Sequence, residues 1–192
     1  TPIFYVPNGV DPVELFSEDR PIDVIFVGRL VKWKNVNEII ASVSKLGLSL
    51  TVLGDGLERA NLEMLSNQLN ADVTFEGQVK EDDITNYLTK AKCFVLVSDY
   101  EGMSFALLQA MNCGAVPVVS DIAGNLQIIT DKLTGIVAAL HNQEQLNEAI
   151  NCAVNNPKIS KEIAIAAKNL CNKEYNLQKN FGRMIELFQN GF

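Results

Sequence analysis

From Ile22 onward, short β-branched runs alternate with segments whose apolar residues recur at the helical period. That alternation predicts a parallel sheet covered by helices. Six strands are expected, at Asp23–Val27, Ser49–Leu53, Val73–Phe75, Cys93–Val97, Val116–Val119 and Gly135–Val137. The helices between them read as Val36–Leu46, Leu57–Leu69, Asp82–Thr89, Ser104–Asn112 and Asn125–Thr130, each opening near Gly, Asp, Ser or Asn and long enough for right-handed crossovers. After Val137 the pattern is helical only, at about Gln143–Asn155, Ser160–Leu170 and Leu177–Gln189, with Pro157 and Asn-rich joints as breaks. The fold class expected is α/β: a doubly wound parallel sheet of about six strands, helices on both faces, and a C-terminal helical tail.

Most strand ends lead into Gly or acidic residues: Gly28-Arg29, Gly54-Asp55-Gly56, Gly77-Gln78, Ser98 to Gly102, and Asp121 to Asn125. In a parallel sheet these loops share one rim, and open α/β sheets bind ligands outside the carboxyl ends of their strands. Taken singly, each glycine reads equally well as an aid to a strand-to-helix turn, and Gly54-Asp55-Gly56 lacks both the full dinucleotide fingerprint and a Walker lysine. Arg29 and Lys34 around the first strand end suit a diphosphate, Arg as a planar fork and Lys as a point charge. Lys32-Trp33-Lys34 also reads as a solvated loop.

The stretch Asp99 to Met111 runs from an acidic loop into a helix apolar on nearly every face, with Gln109 as its polar exception. Such a helix is expected to be buried, and a buried amide without partners costs about 1–3 kcal/mol. Gln109 therefore needs a backbone partner or a ligand. Ser104 is a candidate N-cap, Gly102 permits close approach to the backbone, and the free helix-start amides near Glu101 suit a phosphate or sugar oxygen.

Composition narrows the picture. With 47% hydrophobic and 20% charged residues, the chain is ordinary globular material. No apolar run approaches the roughly 20 residues of a membrane span, and the first residues lack the basic start of a signal peptide. A soluble, cytoplasmic chain is expected. The net charge of −7 argues against nonspecific nucleic-acid binding. The four cysteines form no CxxC and read as reduced structural thiols. No Asp/Glu/His spacing suggests a metal cage, Asp55 and Asp121 read as turn formers, and His141, the only histidine, reads as a surface or capping residue.

Five segments taken in order carry a resemblance: Asn8-Gly9-Val10-Asp11; Val27-Gly28-Arg29-Leu30 with Lys34; Leu53-Gly54-Asp55-Gly56; Val73 through Val79; and Glu101-Gly102 through Gly114-Ala115-Val116-Pro117-Val118-Val119. Together they resemble the retaining GT-B glycosyltransferases of family 4, over nearly the whole chain. The resemblance implies the C-terminal, Rossmann-like, donor-binding half of such an enzyme. Residues 1–20 then correspond to an interdomain linker, 21–172 to the nucleotide-sugar domain and 173–192 to a C-terminal helix that crosses back, its apolar face exposed here. The acceptor-binding N-terminal domain lies outside the chain, which alone is expected to be inactive.

By the same resemblance, the donor is a nucleoside-diphosphate sugar and no metal or other cofactor is expected. The acceptor is a glycan or lipid, and any membrane association belongs to regions outside this chain. Arg29 and Lys34 would hold the diphosphate, Glu101 the sugar hydroxyls, and the backbone near Gly102, Met103, Ser104 and Phe105 the sugar or phosphate oxygens. The Gly77 turn with Gln78 and Val79 would read the base, and Gly28 and Gly54 would line the donor site. Gln109, at the second acid of the family's E-x7-E motif, would face the ribose. The sequence departs from the commonest pattern at Asn35, where Gly often follows the Lys, at Met103-Ser104 for Phe-Gly, at Gln109 for Glu and at Gln127 for Glu. Two other readings stand beside this one: a noncatalytic nucleotide-sugar-binding or scaffold subunit of a glycosylation complex, motivated by Gln109 and the absent half, and a GT-B-like epimerase, which the ordered Arg, Lys and Glu101 signals disfavour.

Overall fold

Alternate residues of the first strand enter two different cores. Val24 and Phe26 pack on one side of the sheet and Ile25 and Val27 on the other, so an unbroken apolar run is what a two-faced sheet requires. The computed structural model describes residues 4–13 and 19–189. Its strands are β1 (Ile22–Val27), β2 (Leu50–Leu53), β3 (Val73–Gly77), β4 (Ala91–Leu96), β5 (Val116–Ser120) and β6 (Ile136–Ala138). They form one parallel sheet in the order β3-β2-β1-β4-β5-β6.

The helices are α1 (Val36–Leu46), α2 (Arg59–Gln68), α3 (Glu81–Thr89), α4 (Phe105–Asn112), α5 (Ala123–Leu126), α6 (Gln143–Asn155), α7 (Pro157–Glu174) and α8 (Leu177–Gln189), with a 3-10 turn at Lys32–Lys34. Apolar residues of α1, α2 and α6 fill one core and those of α3 and α4 the other, while α7 contributes to both. The α/β class and doubly wound sheet are as the hydrophobic pattern predicts. Cys93, Cys113 and Cys171 are buried and free. Burial pushes the Cys113 thiol up to about 11 and that of Cys171 to about 12, which leaves them protonated packing groups.

Two helix boundaries differ from the pattern for local chemical reasons. α5 occupies Ala123–Leu126 instead of 125–130, because Asn125 is not a cap but a buried anchor whose Nδ2 donates to Ser120 O at 3.0 Å. α7 begins at Pro157 instead of Ser160. Asn156 caps it through Oδ1, and Pro sits in the first turn, where its missing N–H costs nothing. The Ser160 hydroxyl donates back to Ala153 O at 2.7 Å.

The expected linker is pinned where it is described; residues 1–3 and 14–18 of it, and 190–192 of the final helix, lie outside the described residues. Val10 N donates to Tyr175 O at 2.8 Å and Leu177 N to Val10 O at 3.1 Å, so the start of α8 and the N-terminal segment share one short parallel bridge. Asn180 Nδ2 adds bonds to Pro7 O and Glu174 O. Beyond that joint, α8 leaves Phe181, Met184, Ile185 and Phe188 exposed on one face, at the spacing of an amphipathic helix. No helix of the described residues is long and apolar enough to cross a membrane.

Candidate functional site

β1 and β4 are neighbours in the middle of the sheet, but the chain leaves them toward opposite edges, so their C-terminal loops diverge and open the crevice characteristic of such folds. The β1 exit carries Gly28, Arg29 and the Lys32–Lys34 turn; the β4 exit carries Ser98 to Ser104. Across this switch point Lys34 Nζ pairs with Glu101 Oε1, joining residues 67 positions apart. The same oxygen accepts from Ser98 Oγ at 2.7 Å. Only 16% of the Lys34 side chain and 12% of that of Glu101 reach solvent, so the pair is held well away from the bulk.

A chain of buried polar groups supports Glu101 from below. Ser120 Oγ donates to Ser98 O at 2.8 Å, and Asn125 Nδ2 donates to Ser120 O and to Ser120 Oγ. Each hydroxyl sits at a strand end, where the ladder stops and backbone carbonyls still need donors. Asn125 Oδ1 is buried without a partner among the described residues.

Asn35 explains one departure from the family pattern. It stands at φ 50° between the 3-10 turn and α1, a left-handed conformation that glycine adopts freely and asparagine tolerates better than most residues. Asparagine also adds what glycine lacks: its Nδ2 donates to Val97 O at 2.9 Å and to Asp99 Oδ1 at 2.6 Å. Asp99 N donates in turn to Trp33 O at 2.9 Å, and the Trp33 and Tyr100 rings stack with centroids 5.4 Å apart. The loop bearing Glu101 is thus fastened to the turn bearing Lys34.

A second group of predicted residues lines a cleft of about 420 Å³ on the same sheet edge: Gly28 and Arg29 after β1, Gly54 and Asp55 after β2, Gln78 and Val79 after β3. Gly54 is required to be glycine there, since at φ 134° a Cβ would stand 1.9 Å from Gly28 O. Arg29 is exposed, and among the described residues its guanidinium has no partner. Lys34 and Glu101 lie outside this lining. Asp55 accepts from Gly56 N and pairs with Arg59, and Asp121 accepts from Leu140 N, the turn-forming roles expected of both.

At the start of α4, Ser104 caps the helix by accepting from Leu107 N at 3.3 Å. The amides of Phe105 and Ala106, in the first turn, have no carbonyl to bond within the helix. Gly102 is exposed and Met103 packs partly into the core. Gln109, however, is not the buried amide that the apolar sequence suggests. It is partly exposed, one turn beyond Phe105 on the same helix face, and Phe105 is itself 43% exposed. The buried amide of α4 is Asn112, whose Nδ2 donates to Asp11 O at 2.6 Å and whose Oδ1 accepts from Val13 N, tying the N-terminal segment to the core.

His141 is exposed, as expected, yet it belongs to the rim. Its Nδ1 lies 2.7 Å from Glu38 Oε1 and its Nε2 3.4 Å from Asp99 Oδ1. Sequence pattern gave no sign of this, because the contacts join three elements far apart in the chain. Among the described residues, no group of three His, Cys, Asp or Glu side chains is arranged to hold a metal ion.

The family model described as glycosyl transferases group 1 matches residues 10–170. An uncharacterised glycosyltransferase of Methanocaldococcus jannaschii is 29% identical over an alignment that covers 98% of this chain and 52% of the relative. Among solved structures, sucrose-phosphate synthase of Thermosynechococcus elongatus superposes with a TM-score of 0.86 at 23% identity, covering 96% of this chain and 51% of the other. HepE of Anabaena in complex with UDP-glucose does so with a TM-score of 0.81 at 18% identity, covering 88% and 48%. The chain spans about half the length of the curated relatives it matches.

Proposed function

The chain belongs to the glycosyl transferases group 1 family, and from that premise we propose that it is the donor-binding half of a retaining glycosyltransferase. It takes a nucleoside-diphosphate sugar and passes a hexose-type sugar to a glycan, lipid or other acceptor held by a second Rossmann-like domain outside this chain. The observation that carries the reading is the Lys34–Glu101 pair at the switch point, with the unpartnered Arg29 on the same edge among the described residues.

Arg29 offers the diphosphate a planar fork, and Lys34, which has three N–H donors and keeps one on Glu101, adds a second cation. As the glycosidic bond to the diphosphate breaks, negative charge grows on the leaving group, and fixed cations stabilise that charge more than they stabilise the bound donor. Glu101 Oε1 is already engaged by Lys34 and Ser98, which leaves Oε2 to accept from a sugar hydroxyl. The first-turn amides of α4, capped by Ser104, point partial positive charge toward sugar or phosphate oxygens. Gly54, Gln78 and Val79 would enclose the base, mainly through backbone groups. That these residues line one cleft with Arg29 supports this, and so does the binding of UDP-glucose by HepE.

Gln109 is the one feature that favours a noncatalytic scaffold. As the residue facing the ribose, its amide supplies one neutral acceptor where a carboxylate supplies two charged ones. Gln109→Glu is expected to tighten donor binding by about fivefold, the difference between a neutral and a charged hydrogen bond. Calorimetric titration with a panel of UDP- and GDP-sugars decides the matter. Binding of one of them, strengthened by Gln109→Glu, supports the donor site; no binding at millimolar concentration by a folded chain favours the scaffold.

A further inference from the structure

His141 leads into α6 at φ 58°, a left-handed conformation uncommon outside glycine that histidine enters more readily than most residues. The surrounding backbone leaves it no alternative. Leu140 N donates to Asp121 Oδ1 at 2.8 Å, Asn142 N donates to Ala139 O, and Asn142 caps α6 through Gln145 N. The turn aims the imidazole away from its own helix and between two carboxylates, Glu38 of α1 and Asp99 of the β4 exit loop.

Both ring nitrogens therefore face carboxylate oxygens. Only the imidazolium donates to both; the neutral ring has a single N–H and turns a lone pair toward the other acid. Asp99 lies two residues before Glu101, and its Oδ1 also accepts from Asn35. With His141 neutral, that corner holds two acids with no cation between them. The other charges nearby are engaged: Lys34 with Glu101, and Asp121 with the Leu140 amide.

We propose that His141 is a positioning residue: as imidazolium it ties the β4 exit loop to α1, and it thereby sets how Glu101 is presented to a nucleoside-diphosphate sugar. The second half of that statement rests on the donor-site reading above; the first half does not. The geometry has a pH consequence. The hydrogen bond to Glu38 raises the His141 pKa above its ordinary value, partial burial opposes the rise, and the charges of Glu38 and Asp99 add to it. A raised value in the folded state means that the tie is fully present below about pH 6.5, the ordinary histidine value, and is lost as pH rises through the raised one. The ring is mostly in solvent, so salt weakens the tie.

Trp33 is the only tryptophan and stacks on Tyr100, so its fluorescence reports the loop without any ligand. The emission of this chain is expected to change between about pH 5.5 and 9 with one midpoint above about 6.5. His141→Asn, which keeps a residue tolerant of left-handed backbone, should abolish that transition. UDP-glucose is the donor probe because its diphosphate charge is constant across this range. Its affinity should fall about three- to tenfold from pH 6 to pH 9, the scale of two exposed ion pairs, and less than about twofold in His141→Asn.

A flat Trp33 titration, or one that His141→Asn leaves unchanged, overturns the proposal. So does a UDP-glucose affinity whose pH dependence is the same in both proteins. A Trp33 transition that His141→Asn removes, with no UDP-glucose bound at any pH, upholds the tie to His141 and counts against the donor reading instead.

Discussion

Arg29→Ala is expected to lower turnover about 10²- to 10³-fold, the usual cost of removing one preorganised group that meets charge as it develops. The measurement is steady-state sugar transfer with the acceptor-binding domain present. In the folded chain Arg29 is exposed and makes no ion pair among the described residues. Its removal should therefore leave the thermal midpoint nearly unchanged, within the about 0.5 kcal/mol common for surface substitutions. A large loss of rate without a loss of stability is the signature of a group kept for the ligand. Arg29→Lys should recover only part of the rate, because an ammonium restores the charge but not the two parallel N–H donors of the fork. Near-normal turnover in Arg29→Ala would remove this residue from the mechanism.

Gly124→Ala is expected to be nearly as damaging, through position alone. A Cβ at Gly124 would stand 2.2 Å from Glu101 O and 2.6 Å from Gly102 O, closer than any such contact can be. One side must move. α5 is anchored by the buried Asn125 and followed by the buried Ile128 and Ile129, whereas Gly102 is exposed. The loop yields first, and with it the Lys34–Glu101 pair. Overpacking of this kind costs about 1–3 kcal/mol, and a displacement of about 1 Å at a positioned group reduces turnover about 10²-fold. Chemical denaturation and transfer assays read the two effects separately. Gly182→Ala on α8, where added atoms meet open space, is the control for the substitution itself and should stabilise by about 0.5–1 kcal/mol, as alanine does inside a helix, without affecting transfer.

The strands were legible because residues buried on both faces leave an unbroken apolar signature, as in Val24 to Val27. Arg29, Lys34 and Glu101 were legible as rim residues for the same reason: in a parallel sheet every strand end points to one edge, so residues 67 apart meet without any local signal. What pattern alone misread was α4. Its composition is almost wholly apolar, but burial is set by neighbours, and the face bearing Phe105 and Gln109 is left partly open to solvent. The amide that does go inside, Asn112, was hidden at the helix end among residues that read as a stop.

His141 shows a different limit. Its position at the rim depends on a left-handed residue and on capping bonds that no periodicity encodes, and its two partners come from α1 and from the β4 exit. Asn35 is the converse case. A residue that looked like a departure from the family pattern keeps the backbone conformation glycine would give and converts the side chain into two hydrogen bonds beneath the candidate site.

Whether the β1, β2, β3 and β4 exits form a single donor site is read most directly by amide chemical-shift mapping of the isotopically labelled chain with UDP-glucose and with UDP. Both ligands should shift Gly28, Arg29, Gly54, Gln78, Val79 and the first turn of α4, and UDP-glucose should shift Glu101, Gly102 and Met103 much further than UDP does. Shifts confined to the opposite edge of the sheet, around Arg20 and Lys161, or identical patterns for the two ligands at Glu101, would show that no such shared site exists.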